Sequence, residues 1–164
     1  MRLIRVVFAC VLLIVTRAAC SGSEDKRPSS VAQPDVPSAP TAKPEIVAGA
    51  TPVAPFVAEA ILSAPAAKTI VYVGATWCEP CQRFHAALQS GALDAQLPGV
   101  RFIEYDLDRS KAELADAGYV SRLIPLFALP EADGRCSARK LEGSIKGESA
   151  VESNILPRLA TLLH

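Results

Sequence analysis

Three hydrophobic patterns follow one another along the chain. Val6 to Val15 is an unbroken apolar run. Residues 21–55 show no period. Beyond them, short apolar runs alternate between the strand and helix periods. Phe56 to Ser63 is amphipathic enough for a short helix, which Pro65 ends. Thr69 to Gly74 is β-branched and continuously apolar, which predicts a buried strand. A helix starting near Cys78 follows it, with Pro80 tolerated in the first turn and an apolar face at Cys81, Phe84 and Leu88. Val100 to Asp106 reads as the next strand. Ser110-Lys111-Ala112-Glu113 has the form of a capping box, opening a short helix that Gly118 closes. Leu126 to Leu129 and Leu141 to Ile145 predict two more strands, with Asp133-Gly134 turning between them. Val151, Ile155, Leu159 and Leu162 share one face of a last helix. Ser149 to Glu152 would cap its early start, and Pro157 would kink it. Strands alternating with helices predict an α/β domain over residues 56–164.

The first run is too short to span a bilayer. Ten apolar residues rise about 15 Å, roughly half a hydrocarbon core. With Arg2 and Arg5 before it, the segment fits an export signal covering residues 1–19. It ends in Thr16-Arg17-Ala18-Ala19-Cys20. Small residues before a cysteine resemble the lipobox of bacterial lipoproteins, with Arg17 where that motif usually has an aliphatic residue. The resemblance implies lipidation of Cys20 and a lipid-anchored protein in the bacterial periplasm or cell envelope. Cleavage near Ala18 or Ala19, or an uncleaved anchor, are the other readings of this segment. Cys10 is an apolar filler in the run.

The second region, residues 20–55, holds seven of the thirteen prolines and no aromatic residue. Such a composition buries too little apolar surface to offset its ordering entropy. It reads as a disordered Pro/Ala/Ser-rich tether, about 100 Å long as polyproline II and about 30 Å as a coil.

Composition narrows the function. Seventeen basic residues balance seventeen acidic ones, which argues against a globally basic nucleic-acid binder. Loss of residues 1–19 would remove Arg2, Arg5 and Arg17 and no acid, turning the net zero into −3. Two histidines, His85 and His164, exclude a multi-histidine metal site. Five cysteines are too few for a disulfide scaffold. Export would place them where thiols oxidise.

The chemistry concentrates at Cys78-Glu79-Pro80-Cys81, between a predicted strand and a predicted helix. A cysteine at an exposed helix N-terminus is favoured as a thiolate by unpaired N–H groups and the helix dipole. Such a thiol attacks disulfides, and a nearby thiol resolves the mixed disulfide. Glu79 would raise the Cys78 pKa and oppose that effect. Other readings use the same residues: a structural disulfide, zinc held by Cys78, Cys81, His85 and Cys136, or Cu(I) held by the two cysteines in a tethered binding module. Gln82 after the second cysteine excludes covalent haem attachment.

Trp77-Cys78-Glu79-Pro80-Cys81, with Ile124-Pro125 further on, resembles the thioredoxin superfamily over residues 56–164. The segment after the motif is similar to the periplasmic domain of disulfide-reducing conductors, and the Glu-Pro dipeptide to that of tethered apocytochrome reductases. The resemblance implies a three-layer sandwich with a central mixed sheet flanked by helices. It implies Cys78 as nucleophile, Cys81 as resolving thiol and a redox-active Cys78–Cys81 disulfide. It places Trp77, Glu79, Pro80, Ile124 and a cis Pro125 around the substrate groove. No cofactor or metal is expected beyond the dithiol. The expected partners are exported proteins with thiols or disulfides and a membrane electron donor or acceptor, with reduction the favoured direction and a monomer the expected state. Two positions depart from the family. Tyr72 stands where it usually buries an aspartate, and Leu126 where it commonly has threonine after the cis-proline. His85 is expected on the helix surface, and Cys136 as an incidental thiol.

Overall fold

The computed structural model describes residues 42–164. The expected export signal, Cys20 and the expected tether as far as residue 41 lie outside the described residues. Five strands form one sheet: β1 (Glu45–Ala48), β2 (Lys68–Gly74), β3 (Val100–Asp106), β4 (Leu126–Pro130) and β5 (Cys136–Glu142). Their order is β1-β3-β2-β4-β5. The first three run parallel, and β4 and β5 continue the sheet antiparallel. Among the described residues, four α-helices flank it: α1 (Val53–Ser63), α2 (Glu79–Gln89), α3 (Leu107–Asp116) and α4 (Leu156–Leu163). No described helix is long and apolar enough to cross a membrane.

The alternation of β2 divides the core. Ile70 and Tyr72 face one side, with Phe102 and Phe127 from neighbouring strands, Cys81, Phe84 and Leu88 from α2, and Leu159 and Leu162 from α4. Val71 and Val73 face the other side, with Val53 and Val57 of α1 and Leu114 of α3. Both faces of the central strand are covered, which is why its residues read as one apolar run. Phe84 makes edge contacts with Tyr72, Phe102 and Phe127 at ring separations of 5.3, 5.4 and 4.8 Å. That cluster fixes α2 on the sheet. At the β4–β5 turn Gly134 has φ 80°, and a Cβ there would stand 2.0 Å from the Ala54 carbonyl of α1. Only glycine fits that approach.

Four sequence expectations need correction. The fold begins before residue 56: β1 pairs with β3, and α1 starts at Val53, itself buried. Proline content hid a four-residue edge strand lying between Pro44 and Pro52. Asp106, not Ser110, caps α3, accepting from the Asp108 and Arg109 amides at 3.0 Å each. Ser110 marks an irregular turn inside that helix, with φ −118° and ψ 17°. The last strand is Cys136–Glu142 rather than 141–145, because an edge strand with one buried residue, Leu141, carries no apolar run. The final helix starts early, but the Ser149 side chain makes no cap. Pro157 has no N–H to complete an α-turn, and Ala150–Ile155 instead forms a π-helical turn with Leu156 N donating to Val151 O. Its apolar face is as expected, with Val151, Ile155, Leu159 and Leu162 all buried.

Candidate active site

Parallel pairing brings the ends of β2 and β3 together, with Gly74 opposite Asp106. β4 runs the other way, Leu126 opposite Val73. Pro125, just before β4, therefore lies at the same edge as the segment that leaves β2. The Ile124–Pro125 peptide is cis, Pro125 is buried, and its carbonyl accepts from Gly143 N at 2.8 Å.

Ala75-Thr76-Trp77 turns the chain, and Cys78 N donates to Ala75 O at 3.1 Å. Cys78 is then the N-cap of α2, with extended φ −84° and ψ 104°. Its sulfur accepts from the Cys81 amide at 3.3 Å, taking the place of the usual capping oxygen. Pro80 sits in the first turn, where no N–H is missed. Cys78 and Cys81 form a disulfide with Cα atoms 5.2 Å apart. Cys78 was expected exposed and is only 5% exposed, because its sulfur turns back over the first helical turn toward Cys81. Cys81 is 2% exposed, as its place on the Phe84–Leu88 face requires.

Around the pair, Trp77 is 64% exposed, and its indole N–H donates to Asp108 Oδ2 at 2.8 Å. That bond joins the β2–α2 and β3–α3 junctions. The Glu79 carboxylate accepts from the Arg83 guanidinium one turn on, and from Gly147 N at 3.2 Å to each oxygen. The Arg83 hydrogen bond, helped by the Gly147 amide and the Lys146 charge, holds it below the usual carboxylate range. Glu79 is thus ionised but closely countered, which weakens the effect expected of it on Cys78. Two apolar side chains are exposed near this edge: Leu123, which pattern reading passed over, and Ile145, which was expected in a strand. Leu123 packs against the position of Gly143, which bonds to Pro125. The only sequence signal of Leu123 was an apolar residue outside any buried face.

Behind the cysteines, the Tyr72 hydroxyl donates to the Cys81 carbonyl at 3.1 Å. Gly74 leaves it room: a Cβ there would lie 2.8 Å from that hydroxyl and 3.3 Å from Cys81 Cβ. Burial, and then the Glu104 charge, push the Tyr72 pKa far above its ordinary value. It is a donor and not a base at neutral pH. A cavity of about 540 Å³ opens beside it, lined among others by Cys81, Gln82, His85 and Glu104. His85, expected on the helix surface, is half-buried with Nδ1 2.9 Å from Glu104 Oε1. Glu104 was missed because the pairing of β2 with β3 that brings it there is a long-range fact.

Cys136 packs with the opposite side of the sheet, near Tyr119 and Gly118. It cannot join Cys78, Cys81 and His85 in one zinc site. Among the described residues, no group of three or more His, Cys, Asp or Glu is placed to hold a metal ion. No protein-family model matches this sequence, and no curated protein matches it. What stands is a mixed α/β fold with a five-stranded open sheet and a close cysteine pair at the start of one helix.

Proposed function

We propose that the chain is a thioredoxin-like thiol–disulfide oxidoreductase, exported and anchored by lipid at Cys20 in a bacterial cell envelope. The observation that carries the reading is the Cys78–Cys81 disulfide across the first turn of α2. The sheet order and the helices on both faces are compatible with that fold. In the reduced protein, Cys78 meets the free N–H groups and the positive end of the α2 dipole, which favour its thiolate. That thiolate attacks a substrate disulfide, and the first substrate sulfur leaves. Cys81 then attacks Cys78, releases the second substrate sulfur and closes the internal disulfide. Two electrons pass from the dithiol to the substrate. Trp77, Pro80, Ile124 and Pro125 shape the edge where an extended substrate chain docks, with Glu79 anchoring the first turn. Reduction of exported proteins is the favoured direction, and a membrane electron donor recharges the site.

Substitution tests the assigned roles. Cys81→Ser is expected to accumulate mixed disulfides with exported proteins, released by a thiol reductant, and Cys78→Ser to accumulate none. Equal trapping by both, or by neither, would contradict the assignment. A stoichiometric metal in the reduced protein, lost in either variant, would instead support Cu(I) binding.

A further inference from the structure

The exchange reaction makes a demand that the groups nearest Cys81 do not meet. Cys81 is buried, and its thiol has to lose a proton before it attacks. Tyr72 already donates its hydroxyl to the Cys81 carbonyl and holds its proton. The space beside them is the cavity. From α2 it receives Cys81 and His85, four residues apart and so on neighbouring turns of one face. From the sheet it receives Tyr72 and Glu104, opposite each other in the β2–β3 register. The other ionisable groups lining it are Tyr105 and Asp106 of β3 and Arg109 of α3. Tyr105 donates to the Ala50 carbonyl, and Asp106 caps α3 through one oxygen. That leaves the imidazole of His85, bonded to Glu104, to accept a proton.

We infer that His85, held by Glu104, takes the proton of Cys81 across this cavity. This rests on the exchange reaction proposed above. With Nδ1–H bonded to the Glu104 carboxylate, Nε2 carries the free lone pair. The cavity carries polar groups, Gln82, His85 and Glu104 among them, and has room for bridging water. The Cys81 S–H proton passes through water to Nε2. The Cys81 thiolate attacks Cys78 Sγ, the bond from Cys78 to the substrate sulfur breaks, and the Cys78–Cys81 bond forms. The substrate sulfur leaves as a thiolate with the electron pair and takes a proton from solvent, to which the imidazolium returns its own. His85 acts through water, and Glu104 is a positioning residue.

The test separates the two sulfur steps. The full chain, with Cys10, Cys20 and Cys136 changed to Ser, is reduced and mixed with excess 5,5′-dithiobis(2-nitrobenzoic acid). Attack by Cys78 releases one chromophore at a rate that scales with reagent. Resolution by Cys81 releases a second at a rate that does not. Near pH 7, His85→Gln is expected to slow the second release about tenfold or more and leave the first within about twofold. The deficit closes at alkaline pH, where the thiol ionises unaided. Glu104→Gln is expected to slow the second release less and to change its pH profile. An unchanged second release and pH profile in both variants would overturn the inference while leaving the exchange reading intact. If the parent chain shows no reagent-independent second release, the exchange reading itself falls, and this inference with it.

Discussion

The β2–α2 and β3–α3 junctions are built alike and end differently. Two neighbouring parallel strands finish in register, and each turns into a helix beyond its last residue. At α3 the carboxylate of Asp106 accepts from two first-turn amides. At α2 the sulfur of Cys78 takes that place and accepts from Cys81 N. The anchoring differs as well. α3 buries only Leu114, whereas α2 buries Pro80, Cys81, Phe84 and Leu88. The same backbone donors thus serve structure at one junction and, on the proposed reading, chemistry at the other. On that reading, reactivity would rest on a sulfur in the capping position and a helix held firmly beneath it.

Exchanging the fates of the two caps should have the largest effect. Cys78→Ser keeps a capping oxygen and is expected to abolish disulfide exchange, while Asp106→Asn leaves the rate within about twofold, since Asn caps nearly as well as Asp. An insulin-reduction assay on both variants checks this. The anchoring contrast comes next. Phe84→Ala opens the aromatic cluster and should cost about 3–5 kcal/mol. Leu114→Ala, with a single buried contact residue lost from α3, should fall toward the low end of about 2–5 kcal/mol. Denaturant unfolding reads both, and the reverse order would break the comparison. Asp106→Ala should cost about 1 kcal/mol in the same experiment.

A smaller effect concerns the loop beside Pro125. The Arg122 amide, with Lys140 and Ser121, holds the Glu142 carboxyl below its ordinary range. Its folded pKa is depressed, so its stabilisation is complete above the unfolded carboxylate value. It is lost as pH falls through the lower folded one. Glu142→Gln should therefore flatten the acid limb of the stability–pH curve. An identical acid limb in the variant would remove Glu142 from the account.

The α2 junction was legible in sequence because its signals are local. An apolar strand, a turn, a cysteine, a first-turn proline and a repeat at Cys81, Phe84 and Leu88 all agree within twenty residues. The α3 junction misled because two capping patterns compete there, and pairing with β2 decides for Asp106. The two edge strands were hidden for different reasons: β1 is four residues long and lies in a proline-rich stretch, and β5 buries only Leu141 and shows no apolar run. The cavity was invisible because Tyr72, His85 and Glu104 meet only through sheet register and helix packing.

The central claim is that Cys78 and Cys81 interconvert reversibly between dithiol and disulfide. Equilibration of the protein with glutathione buffers, followed by the fluorescence of Trp77, the chain's one tryptophan, tests it most directly. A single reversible two-electron transition is expected, and Cys78→Ser and Cys81→Ser should each abolish it. A midpoint near about −270 mV would fit a reductant that needs an electron donor, and one near about −120 mV an oxidant. No reversible transition at any glutathione ratio would contradict the account.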